Sequence, residues 1–141
     1  EGAMARILLV DDEALVLQTL EEQLSDKGYA VTAAAGAAEA LRLLDEAGPF
    51  DMLITDLTMP GGMDGLALIR EARQRALGLP AILLTGYAGD GTGMTLAVDG
   101  ATSGAFTLLR KPVSDAQLSE RVAALLAPRM GDAATASPSV S

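Results

Sequence analysis

Five short apolar runs alternate with segments of helical period along this 141-residue chain, and that alternation constrains the fold more than any other feature. The runs cover residues 7–10, 29–34, 52–55, 81–84 and 106–110. Between them, apolar residues recur every three or four positions, the period of a helix packed on one side. Leu17, Leu20 and Leu24 predict a first helix over 14–27, stopped by Gly28. Leu41 and Leu44 predict a second over 37–47, ended by Gly48-Pro49. Leu66, Ile69 and Ala72 or Arg73 mark the core side of a third over 66–76. Ser114 and Gln117 form a capping pair ahead of Leu118, Val122 and Leu125, with Pro128 as the expected stop of the last helix. The run at 52–55 is continuous rather than alternating, as suits a strand covered on both faces. Strands alternating with helices predict an α/β fold with a parallel sheet and helices on both faces. Right-handed crossovers then favour a doubly wound five-stranded sheet of order 2-1-3-4-5, with its switch point between strands one and three. Only two Phe and two Tyr are available, so the core must be aliphatic.

Two stretches lack such a pattern. Between Thr85 and Phe106 lie Gly86, Gly89, Gly91, Gly93, Gly100 and Gly104. Glycine costs about 1 kcal/mol against alanine inside a helix, so a helix expected around 92–98 should be short. Residues 129–141 are small and polar and predict a flexible tail, leaving one domain over 4–128. Glu1-Gly2-Ala3 reads as a cloning remnant ahead of Met4.

The chemistry sits where the strands end. Residues 7–10 run into Asp11-Asp12, 52–55 into Asp56, 81–84 into Thr85-Gly86, and 106–110 into Lys111-Pro112. In a parallel sheet these ends share the edge where open α/β folds bind their ligands. Three carboxylates there repel one another unless a cation sits among them. Mg²⁺ takes oxygen ligands in near-octahedral geometry and suits such a set. The Lys111 ammonium would neutralise a phosphoryl oxygen. Pro112 holds Lys111 in an extended backbone. The Thr85 hydroxyl and the unshielded N–H of Gly86 are available to the same group. Taken singly, each acid reads as a solvated strand-end residue, Lys111 as a surface lysine and Thr85 as an ordinary β-branched residue. Their joint placement points to a divalent cation and a phosphoryl group.

Composition removes other chemistries. The chain has no Cys and no His, which excludes disulfides, thiolate sites, His-based general base catalysis and most zinc sites. A phosphohistidine, if one takes part, must come from another chain. The formal net charge of −9 opposes nucleic-acid binding, which depends on Lys and Arg neutralising phosphates. No apolar stretch reaches the ~20 residues of a membrane span, and no signal peptide precedes the first strand. The expectation is a soluble, cytoplasmic chain that touches neither membrane nor nucleic acid.

Val10-Asp11-Asp12-Glu13, Asp56-Leu57-Thr58-Met59-Pro60, Met63-Asp64-Gly65, Thr85-Gly86-Tyr87 and Lys111-Pro112 together resemble the receiver domain of two-component response regulators, over residues 6–127. The resemblance implies the flavodoxin-like (β/α)5 fold. It implies a phosphorylation-activated switch, not an enzyme beyond its own phosphoryl transfer and dephosphorylation. Asp56 would accept the phosphoryl group from a phosphohistidine on a histidine kinase or histidine phosphotransfer protein. Mg²⁺ would be held directly by Asp12 and Asp56, mostly through water by Asp11, and by the backbone carbonyl of Thr58. Thr85 and Lys111 would hold the phosphoryl oxygens, with the backbone amides of Leu57 and Gly86 assisting. The response would shift the face made by the 92–98 helix, the fifth strand and the last helix, and it allows a phosphorylation-dependent homodimer. Thr58 and Tyr87 occupy positions that tune loss of the phosphoryl group, although Tyr87 reads equally well as a loop aromatic.

Three features depart from the family. Leu108 stands where receivers carry Tyr, Phe or His, three residues before the lysine, and Phe106 is the nearest aromatic. The stretch from Thr85 to Lys111 is longer than usual and glycine-rich. The loop Pro60-Gly61-Gly62-Met63 carries one extra residue. Two other readings stay open at the level of sequence. One is a degenerate receiver that serves as an interaction module. The other is a phosphatase similar to the haloacid dehalogenases, which need a second acid where this chain has Thr58. The string Leu84-Thr85-Gly86-Tyr87-Ala88 resembles the receivers of hybrid histidine kinases.

Overall fold

The five apolar runs pair into one parallel sheet in the order β2-β1-β3-β4-β5, as the alternation predicts. The strands are β1 (Arg6–Val10), β2 (Ala30–Ala34), β3 (Met52–Asp56), β4 (Ala81–Thr85) and β5 (Phe106–Arg110). The helices among the described residues are α1 (Ala14–Asp26), α2 (Ala37–Ala47), α3 (Gly65–Arg75) and α4 (Asp115–Met130). This computed structural model describes residues 5–57, 64–86 and 105–130. The expectations for Thr58, Tyr87, the 60–63 loop, the 92–98 helix and the chain past Met130 lie outside the described residues.

Alternate residues of each strand point to opposite layers, because the side-chain period of a strand is two. Leu8, Val10, Leu53 and Leu83 pack with Ala40 of α2 and Leu68, Ile69 and Ala72 of α3. Ile7, Leu9, Met52, Ile54 and Leu84 pack with Leu20 and Leu24 of α1 and Leu118, Val122 and Leu126 of α4. All residues of β3 and β4 are buried, which is why those runs read as continuous rather than alternating. Each fully buried aliphatic side chain is worth roughly 1.5–3 kcal/mol of transfer free energy. The two layers therefore fix the sheet firmly behind its carboxyl edge.

Helix ends follow local chemistry. Gly28, at φ +97°, donates to Ser25 O at 3.0 Å while Tyr29 N donates to Leu24 O at 3.2 Å, the paired bonds that close a helix through a left-handed residue. Ser114 Oγ accepts from Gln117 N at 3.0 Å, so half of the expected capping pair forms. α4 continues to Met130, two residues beyond the stop expected at Pro128. Proline already has a helical φ, and near a helix end its missing N–H forfeits little. The deepest residue in the last turns of α4 is Leu126 rather than Leu125, in step with Leu118 and Val122 at a spacing of four. On α2 the fully inward residues are Ala37 and Ala40, while Leu41 and Leu44 pack along the margin of the core. Arg73 lies beside the buried Ala72 and donates to Leu79 O and Ala105 O, both at 2.9 Å, tying the end of α3 to the starts of β4 and β5. Among the described residues no helix is long and apolar enough to cross a membrane.

Candidate functional site

The carboxyl ends of β1, β3, β4 and β5 bring Asp11, Asp12, Asp56, Thr85 and Lys111 to one edge of the sheet. Each arrives there by register. Val10 pairs with Thr55, Asp56 with Leu84, and Thr85 with Arg110, so all four strands finish at nearly the same level. Lys111 N then donates to Thr85 O at 2.8 Å, which carries the pairing one residue past β5.

Carboxylate oxygens of Asp11, Asp12 and Asp56 lie within 4.8 Å of one another. Asp11 is fully buried, Asp56 nearly so, and Asp12 is exposed at the mouth. Asp11 is held from two sides: Oδ1 accepts from Glu13 N at 2.9 Å, and Oδ2 accepts from Lys111 Nζ at 3.0 Å. Lys111 Nζ also stands 3.2 Å from Asp56 Oδ1 and 3.8 Å from Glu13 Oε1. The ammonium thus bridges the two buried acids. Thr85 is buried at the same edge.

Three carboxylates against one ammonium leave a charge of −2 when all are ionised (3 negative, 1 positive). Burial lifts the Asp56 carboxyl above its ordinary range, and the charges of Asp11 and Asp12 push it the same way against the pull of Lys111. Burial alone would depress the Lys111 ammonium, but hydrogen bonding to Asp11 and the charges of Asp11 and Asp56 outweigh it and hold the group above its usual value. The donor set is all oxygen, and oxygen ligands 2.0–2.1 Å from Mg²⁺ stand roughly 3–4 Å apart, so the acidic cluster fits that ion. Asp11, Asp12 and Asp56 are the residues that would hold it.

A stability prediction follows from the Asp56 shift. A carboxyl raised in the folded state costs stability while ionised, and the cost fades as pH falls through its folded value. Asp56→Asn should therefore melt a few degrees above the parent chain in metal-free buffer at pH 7. The gap should narrow as pH falls through the folded value and vanish below the ordinary 3.8, where Asp56 is protonated in both folded and unfolded chains. Thermal denaturation across that range checks it; equal melting temperatures at pH 7 would contradict the sign.

One expected role is corrected. The resemblance implies a Leu57 N–H that faces a phosphoryl group, but that N–H donates to Leu84 O at 2.8 Å. The β3–β4 ladder runs one residue beyond Asp56 and takes that amide. Gly86 is exposed, and none of the described residues lies within 4 Å of the position its Cβ would take. Two contributors escaped the sequence reading. Glu13 braces Asp11 through its N–H and adds a fourth carboxylate near Lys111. Gly65 abuts the backbone of Asp56. Beside the acids, a cleft of about 460 Å³ opens between Leu15, Val16, Leu20, Gln23, Pro112 and Val113.

Comparison with known proteins agrees with this geometry. The family profile for the response regulator receiver domain matches residues 7–123. The chain is 37% identical over 123 residues to the sensor kinase CckA of Brucella abortus, covering 86% of this chain and 12% of CckA. It is 38% identical over 123 residues to the virulence transcriptional regulatory protein PhoP of Salmonella typhimurium, covering 87% of this chain and 52% of PhoP. Among solved structures, a response regulator receiver protein from Sinorhizobium medicae superimposes with a TM-score of 0.77 at 31% identity, covering 92% of this chain and 99% of that one. The chain therefore spans about an eighth of the one curated relative and about half of the other. A doubly wound sheet with three acids and a lysine at its switch-point edge, matched by that profile along most of its length, belongs to the response regulator receiver domain family of two-component signalling.

Proposed function

We propose that this chain is a phosphorylation-activated switch in which Asp56 accepts a phosphoryl group from a phosphohistidine on a partner histidine kinase or phosphotransfer protein. The observation that carries the reading is the bridge of Lys111 Nζ between Asp11 Oδ2 and Asp56 Oδ1, at 3.0 and 3.2 Å. That ammonium stands where the oxygens of an aspartyl phosphate would need a positive charge. An Asp56 oxygen forms the new P–O bond as the P–N bond to the donor imidazole breaks, and the imidazole keeps the electron pair. Lys111 remains charged and offsets the charge on the transferring group. Thr85 offers a hydroxyl to a second oxygen, and the backbone at Gly86 offers an N–H. Mg²⁺, when bound by Asp11, Asp12 and Asp56, neutralises the carboxylates and the phosphoryl oxygens. None of these 141 residues is a histidine, so the donor histidine lies outside them.

The same reading extends to signalling. The phosphoryl group favours one of two conformations through Thr85 and Lys111, and the change reaches the face that includes β5 and α4. The module acts in the cytoplasm, turning over no substrate other than its own phosphoryl group. Incubation with Mg²⁺ and acetyl phosphate, followed by intact-mass measurement, tests the proposal. The expected result is a gain of one phosphoryl group that chelation of the metal prevents. No gain would leave an interaction module that works without phosphorylation. Multiple turnover of small phosphate esters would point to a phosphatase.

A further inference from the structure

We propose that Gly65 is a positioning residue for Asp56: its missing side chain lets the first turn of α3 seat directly on the Asp56–Leu57 peptide and thereby sets where the carboxylate stands. The inference rests on Asp56 as the phosphoacceptor and adds a residue that touches none of the reacting atoms.

Three observations carry it. Gly65 is buried, and its N–H donates to Leu57 O at 2.8 Å. Leu57 N in turn donates to Leu84 O at 2.8 Å, so the peptides after Asp56 are gripped by α3 on one side and β4 on the other. A Cβ built on Gly65 would overlap Asp56 O, and it would come within 2.7 Å of Leu83 Cδ1 and 3.0 Å of Leu57 Cα. Backbone conformation does not explain the glycine, because the positive-φ glycines among the described residues are Gly28 and Gly78. Close approach does. Leu68, Ile69 and Ala72 seat α3 in the core, and Arg73 ties its end to Leu79 O and Ala105 O, so α3 cannot easily roll away to make room. The strand end has to move instead. Relieving the overlap needs a displacement on the order of 1 Å, enough to slow a reaction roughly 100-fold when it misplaces the attacking atom.

Gly48 supplies a matched control. A Cβ there would stand 2.6 Å from Leu44 O, a comparable backbone clash, but at the C-terminal end of α2 and near the opposite edge of the sheet. The test compares Gly65→Ala with Gly48→Ala in the full chain by three readouts. These are the backbone amide resonances of Asp56 and Leu57, Mg²⁺ affinity by titration, and phosphoryl uptake against acetyl phosphate concentration. Gly65→Ala should move both resonances, weaken Mg²⁺ binding several-fold, and lower the maximal uptake rate on the order of 100-fold with little change in the half-saturating donor concentration. Gly48→Ala should lose comparable stability and keep all three properties. Unchanged Mg²⁺ affinity and maximal rate in Gly65→Ala would overturn the proposal, as would equal impairment in the two variants. Should Gly65→Ala fail to fold, Gly65→Ala with Leu83→Val removes the Leu83 Cδ1 contact and leaves the backbone overlap for the same three readouts. If both Gly65 variants stay unfolded while Gly48→Ala folds, Gly65 is structural only and the proposal falls. A parent chain that takes up no phosphoryl group defeats the reading of Asp56, whereas the resonances and Mg²⁺ affinity still decide the role of Gly65.

Discussion

Asp56→Asn is expected to abolish phosphoryl uptake from acetyl phosphate, leaving no detectable mass gain under conditions where the parent chain is fully modified. The argument is chemical before it is structural. An amide oxygen is a poor nucleophile toward phosphorus, and the adduct it would form is unstable in water. The substitution also changes little else. Asn has the shape of Asp, so the packing at the end of β3 persists, and Lys111 keeps Asp11 at 3.0 Å. Loss of uptake in a chain that melts no lower than its parent would separate the chemistry from the fold. The neighbouring acids give the contrast. Asp12→Asn removes an exposed member of the acidic cluster but leaves the nucleophile, so uptake should slow by ~10- to 100-fold rather than vanish. A phosphoryl group found on Asp11 or Asp12 in the Asp56→Asn chain would move the acceptor to another carboxylate. Residual uptake at the parent rate would end the receiver mechanism for this chain.

Much of this site could be read from the sequence because strand ends in a parallel sheet are fixed by counting. An apolar run followed by Asp, Thr or Lys places that residue at the carboxyl edge whatever surrounds it. What the sequence hid depends on distances between elements. The amide of Leu57 looks like any strand-end donor until the ladder to Leu84 is seen to continue past Asp56. Gly65 reads as a helix start next to a good cap, and only the approach of α3 to the Asp56 carbonyl shows why a side chain is barred. Helix faces were legible to within one residue. Leu125 and Leu126 differ by 100° around the axis, and both lie close enough to the stripe of Leu118 and Val122 that periodicity alone cannot rank them. Pro128 signalled a stop because proline lacks an amide, yet a helix can carry that loss close to its end. Glu13 was visible but mute: its backbone N–H, not its charge, braces Asp11.

Lys111→Met should produce the largest loss of stability of any single change at the site, together with loss of transfer. Its ammonium is the cation that bridges fully buried Asp11 and nearly buried Asp56. Methionine keeps most of the side-chain length and none of the charge, leaving two close carboxylates without their counterion. Breaking a buried pair by removing one partner costs about 3 kcal/mol or more, here on the order of 10 °C in melting temperature. The pH dependence has a definite sign. Asp56 already sits above the ordinary carboxylate range, and without Lys111 it is pushed higher. Its ionised form then costs more stability at neutral pH, and the deficit against the parent chain should shrink as pH falls through the raised value. Mg²⁺ should restore one of the two properties and not the other. A divalent cation bound to the folded chain alone stabilises it by mass action, and in Lys111→Met it no longer competes with an ammonium for Asp11 and Asp56. Millimolar Mg²⁺ should therefore raise the melting temperature more in the variant than in the parent. Uptake of the phosphoryl group should nevertheless stay at least ~100-fold slow at saturating Mg²⁺, because the positive charge facing the phosphoryl oxygens is gone. Melting curves with and without Mg²⁺, read beside uptake rates, distinguish a lysine that only balances charge from one that also holds the transferred group. If Mg²⁺ restored both stability and rate, Lys111 would be a counterion and nothing more.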